Sequence, residues 1–117
     1  MTSVAPTTTE SLTHISDESL RLLPEHMRAA ARLYVEEGRA AEDTFIVAVA
    51  SNDLRRSFEL ADTTNAERMH DWVRFFYAYA PSNAWGSREA VTRWMAMGGL
   101  HGLFGNRRAT EVAESGA

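Results

Sequence analysis

The sequence predicts an all-α fold, a compact bundle of four to five helices, on three counts. Apolar residues recur at steps of three and four along most of the chain, the spacing that aligns one helix face. The one run of strand-like composition, Phe45 to Ala50, has no second such run to pair with. Ser, Asp and Thr stand where periodic stretches begin, and Gly or Pro where they end.

Ser16-Asp17-Glu18 opens a short helical turn, because Ser or Asp caps exposed N–H groups and acids suit a helix start. Pro24 fits the first turn of the next helix, whose apolar stripe is Leu23, Met27, Ala30, Ala31 and Tyr34. Arg28, Arg32 and Glu36 form its solvated side, and Gly38 ends it as a left-handed cap. Over residues 43–61 the β-branched content suits a buried strand, yet Val47, Ala50, Leu54, Phe58 and Ala61 keep helical spacing. One helix capped by Asp43 is expected there, with a kink near Asn52-Asp53. Thr63, Thr64 or Asn65 caps a helix running to Ala80, with Met69, Trp72, Val73 and Phe76 on one face and Pro81 closing it. A loop over residues 81–86 leads to Ser87, the cap of a last helix with Glu89 in its first turn. Val91, Trp94 and Met95 form its stripe, and Gly98-Gly99 stops it.

Residues 1–15, rich in Thr, read as a disordered leader, residues 16–104 as a single helical domain, and residues 105–117 as a flexible tail. With 44% hydrophobic and 24% charged residues, the chain has the composition of a globular protein rather than a disordered one. Residues 1–11 lack the basic start and apolar stretch of a signal peptide. The longest apolar run falls far short of a membrane span, so a cytoplasmic location without membrane contact is expected. A net charge of −4 makes nucleic acid an unfavourable partner. All 12 basic residues are Arg, which reads either as compositional bias or as selection for planar, bidentate donors. The absence of Lys excludes a Schiff-base or P-loop lysine, and the absence of Cys excludes disulfides, a thiol nucleophile and thiolate zinc ligation.

No Ser-His-Asp order, Gly-rich phosphate loop or paired-acid motif is present, so no catalytic residue, enzyme activity or cofactor is expected. Glu67-x-x-His70 has the spacing of two metal ligands on one helix face. Di-iron bundles need two such copies, and here one exists, so no metal is expected either. Ser51-Asn52-Asp53-Leu54-Arg55-Arg56 breaks an apolar helix with polar residues, which reads as a kink satisfying its own backbone or as a ligand surface. Trp85-Gly86-Ser87 joins an indole to a helix N-terminus, an arrangement that pins two helices or receives an anion or flat ring. Of the aromatic set Trp72, Phe75, Phe76, Tyr77, Tyr79, Trp85 and Trp94, Phe75 and Tyr79 share a face with Trp72 while Trp72 and Phe76 belong to the core stripe, so the 63–80 helix is apolar nearly all round. Either core packing alone or a second subunit accounts for that, and a homo-oligomer is expected.

Leu23-Pro24-Glu25-His26-Met27-Arg28, Phe45-x-x-Ala48-Val49-x-x-Asn52-Asp53-Leu54, Ala61-Asp62-x-x-Asn65 and Trp85-Gly86-Ser87 carry a resemblance over residues 22–97. They resemble a family of small helical proteins of unknown function encoded in bacteriophage and prophage genomes. Ala40-Ala41-Glu42-Asp43 departs from the Pro-Gly-Ser-like turn expected in such relatives. The resemblance implies non-enzymatic binding in the host cytoplasm: inhibition of a host or defence protein, or sequestration of a nucleotide-like signal. Sequestration calls for Arg on phosphate, a ring to stack a base and Asn or Asp to read its edge. The expected ligand-binding residues are Asn52, Asp53, Arg55, Arg56, Asn65, Trp85 and Ser87. Two other classes stand beside this one. A DNA-binding regulator would use residues 62–80 as its recognition helix, although Glu67 and Asp71 there offset Arg68 and Arg74; a plain assembly module would need no ligand.

Overall fold

Four of the described helices start where a short polar side chain accepts a backbone N–H three residues ahead. In the computed structural model, which describes residues 13–105, Ser16 accepts from Ser19 N, Asp53 from Arg56 N, Asp62 from Asn65 N and Ser87 from Ala90 N. These caps open α1 (Asp17–Leu20), α4 (Leu54–Leu60), α5 (Thr63–Glu67) and α7 (Arg88–Met97). A 3₁₀ turn (Glu25–Met27) feeds α2 (Arg28–Glu37); α3 (Phe45–Ala50), α6 (Met69–Ala78), a second 3₁₀ turn (Ser82–Ala84) and a π turn (His101–Gly105) complete the path. The fold is all-α, with no strand among the described residues. No described helix is long and apolar enough to cross a membrane. Most of the expected leader and tail lies outside the described residues. Thr13 and Ile15, at the end of the expected leader, are buried in the domain, and the π turn carries the folded part through Gly105.

The 43–61 segment is two helices rather than one kinked helix. Asn52 takes φ 63 and Asp53 N–H reaches back to Ala48 O at 3.0 Å, the closing bond of a left-handed helix stop with Asn where Gly is usual. Asp53 then caps α4, while Thr44, not Asp43, precedes α3. The apolar stripe expected to run through both helices is accordingly split: Val47 and Ala50 are buried, whereas Leu54 and Phe58 face solvent. Every residue of α3 is buried, which explains its continuous, strand-like composition.

Arg68 (φ −101, ψ 18) interrupts the expected 63–80 helix, its side chain bonding Asp71 and, at 2.5 Å, Leu22 O. Asp62 supplies the cap there, rather than Thr63, Thr64 or Asn65. Two further expectations fail on burial. Val73 and Ala30 are exposed, and Glu36, placed on a solvated face by its i,i+4 spacing to Arg32, is buried.

The core is aromatic: Trp72, Trp94, Tyr34, Phe75 and Phe76 are fully enclosed, with Phe45 set edge-on to Trp72 at 5.0 Å. Their polar atoms are satisfied inside. Trp94 Nε1 donates to Tyr34 O (3.0 Å), Tyr34 OH to Ala84 O (2.6 Å) and Trp72 Nε1 to Asn65 Oδ1 (3.0 Å). Burial pushes the Tyr34 hydroxyl well above its ordinary pKa, so it stays a donor. Gly38 (φ 65), the stop of α2, meets Gly99 (φ 64) backbone to backbone; a Cβ on Gly38 would lie 2.6 Å from Gly99 N.

Gly38→Ala or Gly99→Ala is expected to cost about 3 kcal/mol or more in urea unfolding, from left-handed strain plus the clash. Gly86 also has a positive φ but nothing within 4 Å, so Gly86→Ala pays only the conformational part, about 1–2 kcal/mol. A second expectation concerns acid. The Asn65 amide first, and the His26 ring second, hold the Asp62 carboxyl below its ordinary value. A depressed folded pKa means that this contribution is present above the ordinary aspartate range and lost as pH falls through the folded value. Asp62→Asn keeps the cap, so its unfolding midpoint should fall less than wild type's between pH 7 and pH 3.

Candidate functional site

The residues singled out in the sequence divide by what their polar groups already hold. Asn52 is exposed at the left-handed stop, and the Asp53 carboxylate is engaged by Arg56 N at 3.0 Å. Arg55 pairs with Glu59 at 3.4 Å, and Arg56 with Asp43 at 3.6 Å and Glu59 at 3.5 Å. Asn65 is buried on the Trp72 indole. Ser87 caps α7. Trp85 lies against Phe76 and Tyr77, and the neighbouring Gly86 N–H donates to Ala50 O at 2.7 Å, tying this loop to the end of α3.

Two of the expected ligand residues converge. Asp53 and Arg56 line one small cleft with Asp43 and Arg88, of about 70 Å³. That is well below the 300 Å³ or more, roughly, that a drug-sized or nucleotide-sized ligand occupies. Asn65 and Trp85 do not line it. Within the 51–56 tract, Asn52 forms the backbone stop of α3 and Asp53 the cap of α4.

A roomier cleft, of about 730 Å³, lies between the Ser82–Ala84 turn and α7. Its floor is Ala90, Trp94, Ala96 and Met97, and its polar groups are Ser82, Asn83 and Arg93. Among the described residues none of those three side chains makes a hydrogen bond or ion pair. Trp94 anchors α7 through Tyr34 O, and Tyr34 OH holds Ala84 O, so both walls are fixed to α2. The arrangement offers a planar cation, an amide able to donate and accept, and a hydroxyl, over an apolar floor. That chemistry binds and orients an anion or a flat polar ring.

Sequence reasoning missed these three residues because none breaks a local pattern. Ser82 and Asn83 are ordinary loop residues, and Arg93 is an ordinary exposed helix residue. Only the fold, which leaves them without partners, sets them apart. His26 and Asp62 form a surface pair at 2.8 Å, with no hydroxyl bonded to the imidazole among the described residues. Comparison with family models, with curated proteins and with solved structures finds no match for this chain.

The division between committed and exposed side chains is open to measurement. Asn65→Ala leaves the Trp72 indole N–H buried without an acceptor and should cost about 1–3 kcal/mol in urea unfolding. Arg55→Ala, at a side chain 90% exposed, should fall within about 0.5 kcal/mol of wild type. Equal costs at the two positions would contradict the assignment.

Proposed function

We propose that the protein works by non-enzymatic binding, holding a small, flat, anionic ligand of nucleotide-like chemistry in the cleft between the Ser82–Ala84 turn and α7. The observation that carries the reading is the convergence of three unpartnered polar side chains, Ser82, Asn83 and Arg93, on a cleft of about 730 Å³. Arg93 supplies the bidentate grip on a phosphate or carboxylate, Asn83 reads a donor–acceptor edge, and the apolar floor accepts a ring face. In the phage–host setting implied by the resemblance, such a protein sequesters a nucleotide signal used in defence.

A second reading, self-association, has its own observation. Val73 and Tyr77 are exposed on α6 at i,i+4 while Trp72, Phe75 and Phe76 fill the core, and Leu54 and Phe58 repeat the pattern on α4. Large apolar groups presented at helical spacing suit a second copy of the chain. Light scattering on wild type and on Tyr77→Glu tests it: a dimer or larger species is expected, reduced by the charge, and a strict monomer retires this reading.

For the ligand, cyclic dinucleotides and ADP-ribose derivatives are titrated against thermal melting. Ligand at a hundred times its Kd should add about 2.7 kcal/mol. Arg93→Ala should melt as wild type does without ligand and lose the shift. No shift at millimolar concentration of any of them, or a shift retained in Arg93→Ala, contradicts the proposal.

A further inference from the structure

Glu36 is the one acidic side chain among the described residues that is buried. It sits in the last turn of α2, where Ile15 N donates to its Oε2 at 2.8 Å and Arg32 at 2.9 Å. Those bonds hold the carboxylate in a single orientation. Two histidines from opposite ends of the described chain meet it there. His14 precedes α1, His101 opens the π turn, and their rings are 5.5 Å apart at centroid. One ligand atom from each of His14, Glu36 and His101 lies within 4.8 Å of the other two.

We propose that His14, Glu36 and His101 form a binding site for a divalent transition-metal ion, zinc above all. Two imidazoles and a carboxylate are a ligand set that zinc favours in sites that keep an open position for water. Both imidazoles are exposed, so solvent reaches the fourth position. Donors around a tetrahedral zinc stand about 3.4 Å apart. The cluster therefore contracts by little more than one ångström on binding, which rotation of two surface imidazoles supplies while the carboxylate stays fixed. Thr13 Oγ1, 3.0 Å from His14 Nδ1, orients the first ring in the manner of an outer-shell partner.

Electrostatics set the limit on affinity. Arg32 touches the carboxylate and opposes an incoming cation. It is also paired with Asp17, so Asp17, Arg32 and Glu36 together present a net negative charge. The ion would tie the segment before α1 to the segment after α7 across the end of α2, acting as a clip on the two chain ends. No local motif announces the site: the Ile15 N–Glu36 bond brings His14 to the end of α2, and the packing of Gly38 on Gly99 brings His101 there.

The test is zinc titration of the full chain, followed by calorimetry and by melting temperature. One zinc per chain is expected, with a rise in Tm. His14→Ala and His101→Ala should each weaken binding by at least the roughly tenfold that loss of an outer-shell partner costs. Unchanged melting of the metal-free variants shows that they fold. His26→Ala and His70→Ala, at histidines outside the cluster, should bind as wild type does. Absence of binding at millimolar zinc, undiminished binding in His101→Ala, or loss in His26→Ala or His70→Ala alone overturns the proposal.

Discussion

The structure depends on how the end of α2 is fastened to the end of α7. Gly38 and Gly99 approach so closely that neither position has room for a side-chain carbon. A few residues back along both helices, the Trp94 indole donates to Tyr34 O, and the Tyr34 hydroxyl reaches Ala84 O. These contacts bind three segments distant in sequence through groups that are buried and fully paired. Breaking either hydrogen bond leaves a buried polar donor without water or partner, which makes the fastening all-or-none in character.

Both candidate sites hang on this junction. The cleft takes one wall from the Ser82–Ala84 turn and the other from α7, each held to α2 by one of the two aromatic hydrogen bonds. The His14–Glu36–His101 cluster sits just beyond the glycine contact, Glu36 two residues before Gly38 and His101 two after Gly99. A single packed unit therefore positions both the cleft and the His14–Glu36–His101 cluster, and the stability of the unit carries over to both.

The helical class was legible because periodicity and capping are local. Ser87, Gly38 and Gly98 act where their chemistry places them. Even the disturbance at Asn52-Asp53 was readable, although its size was not: a kink was expected, and a left-handed stop followed by a fresh cap is what forms. What escaped were roles assigned by distant partners. Glu36 looks like half of a surface ion pair until Ile15 N closes over it. The break at Arg68 has no local breaker residue and accompanies the reach of that side chain to Leu22 O. Asn65 stands beside a helix cap and yet serves the Trp72 indole. The polar residues that catch the eye in sequence are largely those the fold uses for its own backbone, while Ser82, Asn83 and Arg93 stay unpartnered.

Native-state hydrogen exchange followed by NMR tests the junction most directly. The Trp94 indole N–H and the Gly38 amide should exchange only through global unfolding, with the same free energy as the Trp72 indole in the middle of the core. Exchange of Trp94 and Gly38 at the rate of fraying helix ends, while Trp72 stays protected, would show that α2 and α7 part without unfolding and would contradict the account.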